Sequence, residues 1–185
     1  MRTQTLSETL PTTGTWTIDA SHSEVSFKVR HLGISKTRGR FGSFHGDIVV
    51  AEQPEQSRVA VEIDAASIDT KDSGRDEHLR SADFFDAEAF PTLTFVTTGV
   101  EQHGSRWTVS GDLTIRGVTQ PVVLETELAG AVTDPWGNER VGFVASTEVN
   151  REDFGLTWNA ALETGGLLVG KTVQIDLEVE AVLQK

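Results

Sequence analysis

Cysteine is absent from the 185 residues, which excludes disulfide frameworks, thiolate nucleophiles and cysteine-ligated zinc or iron–sulfur centres. Basic residues are scarce: 16 Lys and Arg against 28 Asp and Glu give a formal net charge of −12 and a pI near 4.8. Such a field repels phosphate backbones and anionic membrane surfaces at long range, so nucleic acid is not an expected partner. Long apolar runs are missing as well. One such run, Leu167–Leu168–Val169, is bracketed by Gly166 and Gly170, far short of the ~20 apolar residues of a membrane span. Stable membrane insertion is therefore not expected. The first 15 residues hold no apolar stretch of the ~7–15 residues that a secretory signal requires, and the expected location is the cytoplasm.

Signatures of catalysis are missing too. His22, His31, His45, His78 and His103 show neither HExxH nor HxH spacing, so no metal site is expected. The chain has no GxSxG elbow, no phosphate-binding glycine loop and no GxGxxG, the usual marks of nucleophilic and nucleotide chemistry. The carboxylate pairs Asp83/Asp86 and Glu125/Glu127 fall in helix caps or on the solvent parity of strands, where solvation keeps them ordinary. No catalytic residue is assigned.

What is present is a 37% hydrophobic composition with nine Phe and four Trp along the chain, enough for one folded core. Period-two alternation dominates. Val25, Phe27 and Val29 share one parity against Glu24, Ser26, Lys28 and Arg30, the mark of a half-buried strand. The pattern returns at Val59–Ile63, Trp107–Ile115, Val141–Val149 and Val173–Val179, and more weakly at Leu93–Thr97, Leu124–Leu128 and Thr37–Val50. About eight strands result. One-sided alternation argues antiparallel pairing, closed as a barrel or stacked as a sandwich. Turn-like connections at 103–105, 116–117 and 134–138 make a meander, which favours an up-and-down barrel.

Two segments depart from this pattern. Between Thr37 and Val50, Phe41 and Phe44 sit on opposite parities around Gly42. A bulge at Gly42 would turn both rings inward at a barrel corner, and a regular strand would leave one exposed. Ser73 to Ala89 reads as two short helical turns, capped by Asp72 or Ser73 and again near Asp83, and stopped by Pro91. Its apolar face, Leu79, Phe84, Phe85 and Phe90, must dock on the sheet or cover an open end. Residues 1–13 are expected to be a flexible arm and 14–185 a single domain.

On the inward parity the large Phe27, Phe95, Trp107 and Phe143 alternate with the small Thr97, Gly111, Thr126, Ala145 and Thr147. An interior of this kind is either filled by taper-matched side chains or holds one small ligand.

The runs DASHSEVSF at 19–27, HLG at 31–33, GRF at 39–41 and FHG at 44–46 resemble the opening of the YceI-like family. RDEHLRSADFFD at 75–86 with FP at 90–91, GDLTIRGVT at 111–119 and NREDFG at 150–155 resemble its later motifs in order. The resemblance implies an extended, eight-stranded, lipocalin-like antiparallel barrel with a short helical insertion around 73–89. It also implies a cavity for a long isoprenoid lipid, such as an isoprenoid quinone or polyprenyl compound, with no required cofactor, and a homodimer. The expected cavity lining is Val25, Phe27 and Val29, then Phe41, Phe44, Ile63 and Phe84. Phe95, Trp107, Leu113 and Phe143 continue it, and Phe154, Leu156, Trp158 and Ile175 complete it. His31, Asn150 and Arg151 are the expected head-group contacts. Two rival readings remain: an enzyme acting on a lipid-like substrate in the same cavity through His31, His45 or His78, and a partner-binding module using the acidic outer face.

Overall fold

The computed structural model describes residues 10–185; residues 1–9 of the expected N-terminal arm lie outside the described residues. Pro11 is buried, and the carbonyl of Thr12 accepts a 3.0 Å hydrogen bond from the Trp16 indole.

Eleven strand segments form one antiparallel sheet. They are β1 (Gly14–Ile18), β2 (Glu24–His31), β3 (Ser35–Phe41), β4 (Phe44–Val50), β5 (Arg58–Asp64) and β6 (Ile68–Asp69), then β7 (Thr92–His103), β8 (Arg106–Ile115), β9 (Val118–Thr133), β10 (Glu139–Asn150) and β11 (Val169–Leu183). The order β1-β4-β5-β7-β8-β9-β10-β11 closes on itself because β11 also pairs with β1, Trp16 facing Leu183. The closed ring is an eight-stranded antiparallel barrel. Closure removes the sheet edges that an open β-protein would have to protect.

Eleven segments make eight strands because three strands are interrupted. A 3₁₀ turn at Ala20–His22 divides β1 from β2, and another at Ala65–Ser67 divides β5 from β6. Between β3 and β4 the break falls at Gly42–Ser43, where the Gly42 amide leaves the ladder to bond the Ser67 carbonyl at 3.1 Å. Phe41 and Phe44 are consequently both buried. This bend is the barrel corner that the parity conflict around Gly42 required.

The one α-helix among the described residues, α1 (Ser73–Arg80), is shorter than the helical segment expected from the sequence. Its start is as read, since the Asp72 carboxylate caps the Arg75 amide at 2.9 Å. The remainder to Ala89 is a set of tight turns in which the Phe85 amide bonds the Leu79 carbonyl and the Phe90 amide bonds that of Asp86. Asp83 is not a second cap: its carboxylate goes to His78 Nε2 at 2.8 Å. Leu79, Phe84 and Phe85 face the barrel interior, whereas Phe90 is partly exposed and lies against Gly117.

Candidate functional site

The barrel interior is hollow over part of its length. Where β1 and β10 meet the end of β11, Trp16, Val141 and Ala181 are at most 1% exposed and pack solidly. Beyond them a cavity of about 600 Å³ runs toward α1 and the loop 151–168. That is about four times the ~150 Å³ apolar void that suffices to bind benzene and lies within the ~300–1,000 Å³ of small-molecule sites. It is far larger than a packing defect.

Period-two alternation builds the wall, because every strand that alternates sends its apolar parity inward. All fifteen apolar side chains singled out from the sequence stand in it. Val25, Phe27, Val29 and Phe41 come from β2 and β3, Phe44 and Ile63 from β4 and β5, and Phe95, Trp107 and Leu113 from β7 and β8. Phe143 and Ile175 belong to β10 and β11, while Phe84, Phe154, Leu156 and Trp158 reach the cavity from the covering turns. The rings interlock: Phe41 lies 5.8 Å from Phe27 and meets Phe85 edge-on at 5.7 Å, and Trp107 is 6.1 Å from Phe143. Such tilted and edge-on pairs add modest stabilisation beyond area burial.

Of the small residues on the inward parity, Thr126, Ala145 and Thr147 line the cavity. Thr97 and Gly111 do not. The Thr97 hydroxyl donates to the Val59 carbonyl and accepts from the Val59 amide where the β7–β8 register shifts. The space over Gly111 is filled by the Phe95 ring.

Polar groups gather where α1 approaches β2 and β3. His31 and Thr37 line the cavity from the strands, and Thr70, Arg75 and His78 from α1 and its approach. The Arg75 guanidinium holds the Thr70 hydroxyl and carbonyl, both at 2.8 Å. Thr70 is in turn bound through its amide and hydroxyl to the buried Asp76 carboxylate. The His78 ring lies edge-on to Phe84 and Trp158, with centroids 5.1 and 4.6 Å away. His78 was named from the sequence only in the enzyme reading, and Thr70 and Arg75 carried no signal as lining residues, since their place depends on how α1 packs over the barrel.

The expected head-group contacts separate. His31 is half-buried and lines the cavity opposite Val169. Asn150 is exposed, lies outside the lining and caps the following 3₁₀ turn by accepting from the Glu152 amide at 3.0 Å. Arg151 also lines the cavity but is 5% exposed, and its guanidinium is taken up by backbone carbonyls: Gly170 at 2.8 Å, Leu156 at 2.6 Å, Trp158 at 2.9 Å and Val169 at 3.4 Å. Burial lowers its pKa from the ordinary arginine value. The loop 151–168 is thereby fastened over the cavity.

Of the histidines named for the enzyme reading, His45 faces solvent with Glu62 at 3.0 Å and is not part of the lining. Among the described residues, the one group of three metal-ligand side chains is Asp19, His22 and Glu180. Arg140 already donates to both of those carboxylates, at 3.0 and 2.7 Å, neutralising the donors a cation would need. No helix among the described residues is long and apolar enough to cross a membrane.

The YceI-like domain family model matches residues 16–181. The chain belongs to the YceI-like family. A UPF0312 protein of Photorhabdus laumondii is 44% identical over 138 residues, covering 74% of this chain and 72% of that one. The crystal structure of the Campylobacter jejuni YCEI protein superposes with a TM-score of 0.72 at 28% identity, covering all of both chains. A polyisoprenoid binding domain from Saccharophagus degradans shares the fold, with a TM-score of 0.71 at 18% identity over 91% of this chain and 98% of that one. The YceI-like barrel thus accounts for almost the whole described chain, cavity and covering turns included.

Proposed function

We propose that this YceI-like barrel binds and carries a long-chain isoprenoid lipid, an isoprenoid quinone or polyprenyl compound, in its interior. The observation that carries the reading is the apolar-walled cavity of about 600 Å³ enclosed by the strands and covered by α1 and the loop 151–168. The polyisoprenoid-binding relative from Saccharophagus degradans supports it. Burial of hydrocarbon contributes about 0.8 kcal/mol per CH₂, so a prenyl chain gains affinity without any charged contact. The branched chain meets the fifteen apolar side chains of the wall, and a polar head lies toward His31, Thr70, Arg75 and His78. No cofactor is needed, since transfer of hydrocarbon from water is the driving force.

Organic extraction of the purified protein followed by mass spectrometry tests the reading, together with melting of delipidated protein in the presence of an isoprenoid quinone. A ligand that binds only the native state adds about 2.7 kcal/mol at a hundred times its Kd, so the melting temperature must rise. Absence of prenyl lipid from extracts of several hosts, together with no rise in melting temperature, would overturn the carrier reading.

A second reading, an enzyme in the same cavity, has one observation in its favour: the His78–Asp83 pair at 2.8 Å, with His78 in the lining. A carboxylate that orients an imidazole is a common acid–base arrangement. Lipid recovered chemically unchanged after prolonged incubation with the protein decides against this reading.

A further inference from the structure

The outer face of the β2–β3 hairpin concentrates positive charge on a chain of formal net charge −12. On the outward parity β2 presents Lys28 and Arg30, the latter also reaching the cavity's edge, while β3 presents Lys36, Arg38 and Arg40. The register sets Lys28 directly opposite Arg38 and Arg30 directly opposite Lys36. Like charges in direct cross-strand register destabilise a sheet. Lys28 is relieved by Asp176 at 3.2 Å and Arg40 by Asp69 at 3.5 Å, but Arg30, Lys36 and Arg38 form no ion pair among the described residues.

Beside this strip β11 bulges. Between Val169 and Val173 its pairing with β2 slips, so that Gly170, Lys171 and Thr172 stand against Arg30 alone. The bulge opens a groove of about 350 Å³ where Lys28, Arg30, Lys36 and Lys171 converge, with Glu148 as the acidic member. Lys171 is paired with Glu152 at 3.1 Å.

The tip of the same hairpin is apolar. Leu32 is 38% exposed and Ile34 83%, and Leu167, 45% exposed, is held beside them because the Leu32 amide bonds the Leu168 carbonyl at 2.9 Å. Aliphatic side chains at a tip with cations behind them match the layering of a bilayer surface, acyl boundary first and phosphates next. At ~3.3 Å per residue the Lys28/Arg38 pair lies roughly 7 Å behind the Arg30/Lys36 pair, within headgroup depth. The exposed Val132 and Trp136, by contrast, lie at the opposite end of the barrel, where Arg140 faces Val182, and Asp134 and Glu139 flank them. An anionic surface repels that end and attracts the hairpin.

We propose that the β2–β3 hairpin docks peripherally on an anionic phospholipid bilayer. Leu32, Ile34 and Leu167 enter the headgroup–acyl boundary, and Arg30, Lys36, Arg38 and Lys171 contact lipid phosphates. The net charge weakens approach from afar, and within about one Debye length, ~8–10 Å, the local strip prevails. Docking brings the cavity to the bilayer, because His31, beside Leu32 at the turn end of the hairpin, is also part of the cavity wall.

Co-sedimentation with vesicles tests this, comparing pure phosphatidylcholine with phosphatidylcholine containing about one third phosphatidylglycerol, at low and high salt. The expected result is binding to the anionic vesicles alone, reversed by salt. Each cation at the surface changes partition about five-fold, so Lys36→Glu/Arg38→Glu should weaken binding at least ~25-fold. That variant turns two like-charge pairs into opposite-charge pairs, so it should melt no lower than the parent, which separates lost docking from lost folding. Ile34→Ser should weaken binding several-fold and leave the salt dependence intact. No sedimentation with anionic vesicles, equal binding to both vesicle types, an unaffected double variant, or capture of an acidic protein in place of vesicles would each overturn the proposal. The vesicles contain no isoprenoid, so failure here leaves the carrier reading standing, and an empty cavity leaves docking standing.

Discussion

The Phe95 ring lies over Gly111 on the neighbouring strand, so close that a β carbon on Gly111 would sit 2.3 Å from the ring's ζ carbon. Gly111→Ala must therefore displace Phe95, a core ring, or bend β8. Overpacking of this kind costs about 1–3 kcal/mol, or a fall of about 2–4 °C per kcal/mol for a chain of this size. Gly99→Ala, on the adjoining β7, meets nothing within 4 Å and should stay within about 0.5 kcal/mol of the parent. Thermal or urea unfolding of the two variants checks both values. Equal stability of the two would mean that the Phe95–Gly111 fit is not a constraint.

Phe143→Trp addresses the hollow part of the barrel. Phe143 lines the cavity beside Ala145 and Thr147 and lies 6.1 Å from Trp107. A larger ring can extend into empty volume, so delipidated protein should keep its stability or gain some while its capacity for lipid falls. A packed core would lose about 1–3 kcal/mol. Melting of delipidated protein and quantitation of extracted lipid separate these outcomes. A drop of several degrees with lipid content unchanged would remove Phe143 from the cavity wall.

The barrel was legible because its strands alternate, and alternation is a local signal: Val25, Phe27 and Val29 declare a buried face without reference to any partner. The corner at Gly42 was legible for the same reason, since Phe41 and Phe44 conflict in parity within four residues. The closing pair, Trp16 with Leu183, carries no local mark, because it joins the two ends of the described chain. Asn150 and Arg151 looked alike beside a strand end, yet one caps a turn on the surface and the other is fastened among carbonyls. Only the path of residues 151–168 distinguishes them. The opposed cations Lys28 and Arg38 likewise became visible only with the hairpin register.

Arg151→Ala should be a stability variant more than a binding variant. It removes a buried guanidinium and strands the carbonyls of Leu156, Trp158 and Gly170. Unsatisfied buried groups cost about 1–3 kcal/mol each, and partial relaxation of the loop brings the expected total to about 3–5 kcal/mol. The loss must appear in lipid-free protein. Proteolysis should find the loop 151–168 first, because local opening exposes the segment that has lost its fastening. Unchanged stability with weakened lipid binding would instead make Arg151 a head-group contact.

The acid limit of stability should depend on Arg140. Its guanidinium bonds Asp134 at 2.8 Å, Asp19 at 3.0 Å and Glu180 at 2.7 Å, joining the β9–β10 turn, the end of β1 and β11. Arg140 is the chief cause that holds the Asp134 carboxyl well below the usual carboxylate range. For Asp19 the chief cause is the Ser21 hydroxyl, then His22, with Arg140 a smaller contributor. Both folded values lie below the unfolded value of about 4, so these groups contribute stability that is fully present above pH ~4 and is lost as pH falls toward the folded values. In Arg140→Gln, Asp134 loses its main stabilising partner while Asp19 keeps two of its three side-chain partners. The variant should be less stable than the parent at neutral pH, and the gap should narrow below pH ~4, because the parent surrenders there what the variant never had. Melting temperatures from pH ~7 to ~2 check this. A gap that stays constant through the acid range would mean that the Arg140 network contributes nothing to acid sensitivity.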